Sequence, residues 1–222
     1  MKKGLFIVVD GPSASGKDSI IRQVLKDLKR LNLKTISIEE TKEKKYDRKR
    51  ILLAKKRGDK AVAKTIINER KELYLEKVIP QLSKGTIVIA NRGEPSTLNY
   101  QTLKGELTMK DAWNMHRKQN IPLPNLVVIT NWTVLEALRR EGLRKPSFEE
   151  KDKSFLSGKF TMSDLQEKSL EKRRRIHKSY EKVKNFLNKK GLFVIYLNTD
   201  NMNVPQESEN IVNFIRKNLL VL

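Results

Sequence analysis

The chain has no cysteine and only two histidines, His116 and His177, among its 222 residues. Disulfide bonds and thiolate metal sites are therefore excluded, and the wide sequence separation of the two histidines argues against a histidine metal site. Aromatic residues make up only 6% of the chain. No apolar run approaches the ~18–20 residues of a membrane-spanning helix. The sequence therefore predicts a soluble, cytoplasmic protein with no membrane partner.

Acidic residues are scarce relative to basic ones, with 26 Asp and Glu against 47 Lys and Arg, which gives a net charge of +21. Such a charge is typical of nucleic-acid-binding proteins, and its field also attracts nucleotides. The lysines, however, are spread along the whole chain instead of forming one patch. Nucleic acid is therefore kept as a possible partner but is not the favoured one. The length suits a single domain over residues 1–222.

The chain is organised around the segment Leu5–Leu31. Five apolar residues, Leu5–Val9, predict a strand buried on both faces, and apolar residues at helical spacing predict an amphipathic helix beyond Lys17. Between them, the spacing of Gly11 and Gly16-Lys17 fits the phosphate-binding loop G-x-x-x-x-G-K. Backbone N–H groups, the helix N-terminus and the lysine charge would together hold phosphates. The predicted ATP-binding residues are Gly11, Ser13, Ala14, Ser15, Gly16, Lys17, Asp18 and Ser19.

Four further apolar runs, at residues 34–38, 86–90, 126–130 and 192–197, alternate with helical patterns. This alternation predicts an α/β protein of the P-loop NTPase type, with a five-stranded parallel sheet between two layers of helices. Ligands bind such sheets beyond the carboxyl ends of the strands. We therefore expect residues 10–19, 39–42, 91–101 and the segment after 130 to converge on one cleft. Residues 139–160, rich in charge and without periodicity, are the candidate for a small mobile lid.

A second motif combines Arg70 on a predicted helix with Asn91-Arg92-x-x-x-Ser96-Thr97-x-x-Tyr100-Gln101. Together with the phosphate-binding loop, these residues resemble the thymidylate kinase family of nucleoside monophosphate kinases. The resemblance continues through VVDG before the loop, VIPQLSKGTIVIANR around the third strand and LPNLVVITN at the fourth. It implies Mg²⁺-dependent transfer of the γ-phosphoryl group of ATP to a deoxynucleoside 5′-monophosphate, most often dTMP. By analogy it also implies a homodimer.

The resemblance also implies residue roles. Arg70 and Arg92 would hold the acceptor phosphate, because guanidinium groups bind phosphate oxygens bidentately. Tyr100 would pack under the sugar. The acceptor-binding residues implied are Ile66, Arg70, Arg92, Ser96, Thr97, Tyr100 and Gln101, and the catalytic ones are Lys17, Arg92 and the lid arginines Arg139, Arg140 and Arg144. The residues alone leave simpler alternatives open: a surface arginine at 70, core filling by Tyr100, helix capping by Ser96 and a solvated basic lid.

Four positions depart from the family pattern. Asp18 stands where the family has Ser or Thr, and Asn91 where it has Asp. Because carboxylates are good Mg²⁺ ligands, we hypothesise that Asp18 is the metal ligand in this chain. Ser13 replaces an acidic residue and Ile66 an aromatic one, so the acceptor stays open between dTMP, another nucleotide and a ribose bisphosphate. The last is suggested by the Gly-Lys-Asp-Ser run alone. A degenerate protein that binds nucleotide or nucleic acid without turnover is the other alternative.

Overall fold

A computed structural model describes residues 4–40, 47–133, 136, 162–200 and 203–219 of the chain. Its centre is a five-stranded sheet in the order β2-β3-β1-β4-β5, in which all four neighbouring pairs are parallel. The strands are β1 (Phe6–Asp10), β2 (Thr35–Glu39), β3 (Ile87–Asn91), β4 (Leu126–Asn131) and β5 (Val194–Asn198). The predicted α/β class and parallel sheet are thus confirmed.

The central strands are buried on both faces, and alternate residues face opposite layers. On one face Leu5, Ile7 and Val9 pack in a core with the helices α1 (Lys17–Arg30) and α8 (Val204–Leu219). On the other face, Phe6 and Val8 belong to a second core under the helices of the middle of the chain. These two cores produce the predicted three layers.

The remaining helices are α2 (Arg48–Lys55), α3 (Asp59–Leu73), a π-helical turn (Tyr74–Val78), α4 (Ile79–Ser83), α5 (Glu94–Tyr100), α6 (Met109–Arg117) and α7 (Met162–Lys189). Helical structure continues past Pro80 to Ser83. Pro80 lacks the N–H needed for an i→i−4 bond, and the wider π-helical turn directly precedes it. Of the described residues, none lies in a helix long and apolar enough to cross a membrane.

One strand boundary differs from the sequence prediction. The last strand begins at Val194 instead of residue 192, because the N–H of Leu192 donates to the carbonyl of Leu187 at the C-terminal end of α7. The helix that contains Ser96 begins at Glu94. The candidate lid, residues 139–160, lies outside the described residues.

Candidate active site

The predicted phosphate-binding loop connects β1 to α1. Gly11 has φ +152° and lies so close to β4 that a Cβ there would come within 2.2 Å of the Thr130 carbonyl oxygen. Gly16, with φ 84°, is the N-cap of α1. These two positions need glycine for different reasons, one for space and one for a left-handed backbone. The two glycines of the G-x-x-x-x-G-K spacing are therefore both required by the backbone of this loop.

Side chains of the loop hold it against the sheet. The hydroxyls of Ser15 and Thr130 lie 2.6 Å apart, and Ser15 is fully buried. The Lys17 ammonium group donates to the Pro12 carbonyl at 2.8 Å, so the lysine bends back over its own loop. Ser13 is exposed. Lys17 therefore lies at the mouth of the loop, where an outer phosphate could take over one of its hydrogen bonds.

Asp10 joins this loop to the segment after β3. Its fully buried carboxylate accepts hydrogen bonds from the Gly11 N–H at 2.7 Å, the Gly93 N–H at 3.0 Å and the Ser96 N–H at 2.9 Å. It also accepts from the hydroxyls of Ser96 and Tyr180, at 2.8 and 3.0 Å. Five donors on one carboxylate fix its position. Asp10 therefore fixes the loop at residues 11–17 relative to α5.

Arg92 lies beside this junction. It has φ 79°, a left-handed conformation that is uncommon for a residue with a Cβ and that recurs at functional sites. Its guanidinium group donates to the Ser96 hydroxyl at 3.1 Å and to Tyr100. Burial is the largest single influence and lowers the pKa of Arg92, but the Asp10 carboxylate, Tyr180 and Tyr100 together outweigh it and raise that pKa above its usual value. Arg92 is thus a fixed cation next to the phosphate-binding loop.

Arg70 is not a surface arginine, since only 1% of it is exposed. Its Nε and Nη2 donate to the two carboxylate oxygens of Glu40 at 2.7 and 3.0 Å. Its Nη1 lies 3.1 Å from the Thr97 hydroxyl and 3.0 Å from Nε2 of His116. Four of the five N–H groups of Arg70 are therefore hydrogen-bonded to described residues. One N–H is left to contact the phosphate of an acceptor nucleotide. If Arg70 contacts the acceptor phosphate as the resemblance implies, it can do so bidentately only by releasing a partner.

His116 is 1% exposed and faces the Arg70 cation. Burial and that cation together lower the pKa of His116 well below its usual value, so the ring is neutral. A neutral ring that accepts the Arg70 hydrogen bond at Nε2 must carry its proton on Nδ1. This tautomer follows from the hydrogen bonding.

One cavity of about 900 Å³ brings the predicted acceptor residues together. Its wall contains all seven of them: Ile66, Arg70, Arg92, Ser96, Thr97, Tyr100 and Gln101. Tyr100 also packs edge-on against Tyr180, with ring centroids 6.4 Å apart, so it belongs to both the core and the cavity. Ser96 lies in the first turn of α5, whose N-cap is Gly93, so the capping alternative for Ser96 was wrong. That these residues bind an acceptor stays a prediction.

Asp18 and Asn91 contact each other, as their positions after adjacent strands allow. The Asn91 side-chain N–H donates to an Asp18 carboxylate oxygen at 2.9 Å. Asp18 is exposed, whereas the Asn91 Oδ1 atom is buried and has no hydrogen-bond partner among the described residues. A free carboxylate oxygen with an unpaired amide oxygen nearby suits Mg²⁺, which prefers oxygen ligands. In the part of the chain that the structure describes, no three or more acidic, histidine or cysteine side chains are placed so that they could hold a metal ion together. Mg²⁺ is commonly held by one or two carboxylates and substrate phosphates, so the two residues fit this ion.

Several of these residues were not predicted from the sequence as site residues: Asp10, Glu40, His116, Thr130 and Tyr180. Asp10 had a signal, because a lone acid ends an apolar strand directly before the loop. Glu40 lies within the predicted cleft segment 39–42. His116 and Tyr180 had no signal beyond residue type, since their partners are distant in sequence. The predicted lid residues Arg139, Arg140 and Arg144 lie outside the described residues.

The parallel sheet, the glycine loop at its centre and the cavity beyond the strand ends define an α/β protein of the P-loop class. Comparison with known families matches residues 9–196 to the family described as thymidylate kinase. Since this match covers most of the chain, the protein belongs to the thymidylate kinase family.

Curated relatives agree with this assignment. The chain is 32% identical over 106 residues to the thymidylate kinase of Clostridium novyi, which covers 46% of this chain and 52% of that protein. It is 30% identical over 140 residues to that of Brachyspira hyodysenteriae, covering 62% and 68%. The thymidylate kinase of Leptospira interrogans is 26% identical over 150 residues, covering 65% and 72%. The chain thus matches about half to three quarters of the length of these relatives.

Proposed function

We propose that the protein is a nucleoside monophosphate kinase that transfers the γ-phosphoryl group of ATP to dTMP. The observation that carries this proposal is the Asp10 junction. One carboxylate binds both the first amide of the phosphate-binding loop and the turn that holds Arg92 and Ser96. A donor bound at the loop and an acceptor bound beside Arg92 in the cavity would therefore be held in a fixed relative position. Fixed positioning of two reactants is the main contribution that a phosphoryl-transfer enzyme makes.

Each residue has a stated role in this proposal. The loop amides and Lys17 hold the donor phosphates at the N-terminus of α1. Arg92 binds the acceptor phosphate and offsets charge that develops during transfer. Tyr100 and Ile66 form the walls against the sugar and the base. No general base is required, because the acceptor is already an oxyanion. Closure by one of the lid arginines 139, 140 or 144 is a further part of the proposal.

Mg²⁺ is part of the proposal because the family implies it and Asp18 with Asn91 fits it. When bound, the ion neutralises charge on the transferred phosphoryl group. Asp18 would supply its carboxylate ligand. A homodimer is proposed from the family resemblance alone, and sedimentation equilibrium tests it. A cytoplasmic location, expected from the sequence, stays part of the proposal.

The decisive experiment measures ADP release from ATP and Mg²⁺ over a panel of acceptors: dTMP, dUMP, dCMP, dGMP, dAMP and ribose 1,5-bisphosphate. We expect turnover with dTMP well above the others. Lys17→Met should abolish it, and Arg92→Gln should raise the acceptor KM strongly. The matched control is Lys29→Met, at an exposed position on the same helix, which should behave as wild type.

The same panel separates the alternatives. Turnover with ribose bisphosphate but not dTMP would place the chain with a different class of P-loop kinase. No ADP with any acceptor, together with salt-dependent DNA binding of steep slope, would favour a binding protein without turnover. Either result would overturn the proposal.

A further inference from the structure

The cavity that contains the predicted acceptor residues extends well beyond its two arginines. One face of α3 lines it with four residues at helical spacing: Asp59, Val62, Ile66 and Arg70. At 1.5 Å per residue, Asp59 and Arg70 lie roughly 16 Å apart along the helix axis. Arg70 contacts Thr97 on α5, next to Ser96, the hydrogen-bond partner of Arg92. The cavity therefore runs from these arginines at one end to the start of α3 at the other.

α7 lines the cavity in the same direction. Its Tyr180 reaches Asp10 at the end near the phosphate-binding loop. Lys172, which lines the cavity, lies roughly 12 Å earlier along the helix axis. Between them, Arg175 donates from Nη2 to the Leu103 carbonyl at 3.1 Å, which ties α7 to the segment after α5. α7 therefore brings cations to the end of the cavity that is distant from Asp10.

We call this distant end the cationic mouth and define it by four exposed basic residues of the cavity wall: Lys55, Lys104, Lys172 and Arg175. They come from three parts of the chain. Lys55 is the last residue of α2 and precedes the start of α3 by a short turn, Lys104 follows α5, and the other two belong to α7. Three separate elements thus direct positive charge to one opening.

Acidic residues do not cancel this charge. Of the described residues at this end, Asp59 and Glu171 belong to the cavity wall, and Glu106 accepts from the Asp59 N–H at 3.0 Å. The Lys104 ammonium group lies 3.6 Å from the Asp59 carboxylate. Among the described residues, neither Lys55 nor Lys172 takes part in an ion pair. The cationic mouth therefore keeps lysines that an anion can contact.

We propose that the cationic mouth binds an anionic substituent on the base of the acceptor nucleotide. With the acceptor phosphate at Arg92, the sugar and base lie along Tyr100 and Ile66, and the apolar wall of Val62 and Ile66 leads on to the mouth. A carboxylate on the base is ionised at neutral pH, and the long lysine side chains carry their charge at a flexible end that can reach it. This inference rests on the proposed function, because it takes the direction of the base from an acceptor phosphate bound at Arg92.

The test measures nucleotide binding by calorimetry without ATP. The ligands are 5-carboxy-dUMP and 5-hydroxymethyl-dUMP, which are similar in size but differ in the charge of the substituent. We expect the carboxylate to bind about three- to tenfold more tightly, because each exposed ion pair contributes only modestly. The preference should shrink as salt is added.

Variants locate the effect. In Lys55→Gln/Lys172→Gln the ratio of the two dissociation constants should fall towards one. The matched control is Lys182→Gln/Lys189→Gln, which removes the same charge from exposed positions of α7 outside the cavity wall and should keep the wild-type ratio. Equal affinity of wild type for the two ligands would overturn the inference, as would a wild-type ratio in Lys55→Gln/Lys172→Gln.

Thymidine 3′,5′-bisphosphate is the third ligand. If it binds more tightly than dTMP and loses that advantage in Lys55→Gln/Lys172→Gln, the mouth serves a phosphate on the sugar, and the assignment to the base is overturned. ADP release from dTMP is measured in parallel. Release of ADP with no preference for the carboxylate would refute only this inference. A preference for the carboxylate without ADP release from any acceptor would refute only the proposed function.

Discussion

Arg70 and Glu40 form a bidentate ion pair in the wall of the cavity, with N–O distances of 2.7 and 3.0 Å; 1% of Arg70 and 5% of Glu40 are exposed. Glu40 directly follows β2, and Arg70 is near the end of α3. Removing one partner of such a pair leaves a buried charge without compensation. The pair is therefore expected to matter for folding as well as for binding.

We predict that Glu40→Gln and Arg70→Gln each lower the free energy of unfolding by about 3–5 kcal/mol. The double variant should cost clearly less than the sum, because it leaves no unpaired charge. Guanidinium denaturation of wild type, the two single variants and the double variant gives the free energies of unfolding for this double-mutant cycle. The exposed pair of Arg30 and Asp27, 3.3 Å apart, provides the comparison, and Arg30→Gln should cost less than about 1 kcal/mol. Additive single effects at Glu40 and Arg70 would show that the pair is not coupled.

His116 should affect acceptor binding through Arg70. His116→Phe removes the ring nitrogen Nε2 that accepts a hydrogen bond from Arg70, so one Nη1 hydrogen of Arg70 loses its partner. We expect the KM for the acceptor to rise several-fold while the KM for ATP and the kcat change little, since the donor loop does not contact His116. His116→Gln offers a side-chain carbonyl oxygen that can accept the Arg70 hydrogen bond, so its KM for the acceptor nucleotide should lie between those of wild type and His116→Phe. His177→Gln, at the other histidine, is the control. An equal change in both KM values would argue for a general structural effect.

Glu94 predicts a pH dependence of stability. Its carboxylate is 1% exposed, and neither oxygen has a hydrogen-bond partner among the described residues. Burial raises its pKa from 4.5 to about 7, although the nearby Arg70 cation opposes the rise. The folded protein therefore holds this proton more tightly than the unfolded chain does. The stabilisation is fully present below pH 4.5 and is lost as the pH rises through 7.

The test compares Glu94→Gln with wild type at several pH values. Between pH 4.5 and pH 8, the free energy of unfolding of the variant relative to wild type should rise by up to about 3 kcal/mol, because the pKa of Glu94 is about 7 in the folded protein and near 4.5 in the unfolded chain. Other titrating groups cancel in this difference. For Glu209→Gln, at an exposed position, the difference in free energy of unfolding from wild type should not change with pH. If the difference between Glu94→Gln and wild type is also independent of pH, the pKa of Glu94 is not raised in the folded protein.

The sheet and the phosphate-binding loop were predictable because their signals are local. A run such as Leu5–Val9 and the spacing of Gly11 and Gly16 each depend on neighbouring residues only. The strand ends were less certain: Leu192 reads as part of an apolar run, yet its N–H closes α7. Local patterns do not show such competition for backbone hydrogen bonds.

The interior of the site could not be predicted in the same way. Arg70, Glu40 and His116 meet across separations of 30 and 46 residues, and Tyr180 reaches Asp10 across 170. Glu40 lies in the predicted cleft segment 39–42, but the sequence does not indicate that Arg70 is its partner. Tyr180 shares an apolar helical face with Val183, so its spacing indicates core packing and gives no sign of its hydroxyl contact. Such side-chain contacts form only when the helices have packed on the sheet, so local sequence patterns do not reveal them.

Ile66 leaves the cavity wall without a ring where the family pattern has an aromatic residue. It lines the same cavity as Arg92 and Tyr100 and is half-buried. We predict that Ile66→Phe lowers the KM for dTMP by several-fold and up to about tenfold, because an added stacking contact is worth about 0.5–1.5 kcal/mol. Ile66→Leu, which changes shape without adding a ring, should leave the KM near that of wild type. Steady-state kinetics with dTMP and ATP measure both. If the phenylalanine and leucine variants have equal KM values, or if the phenylalanine raises it, the base does not lie against residue 66 and the acceptor binds elsewhere in the cavity.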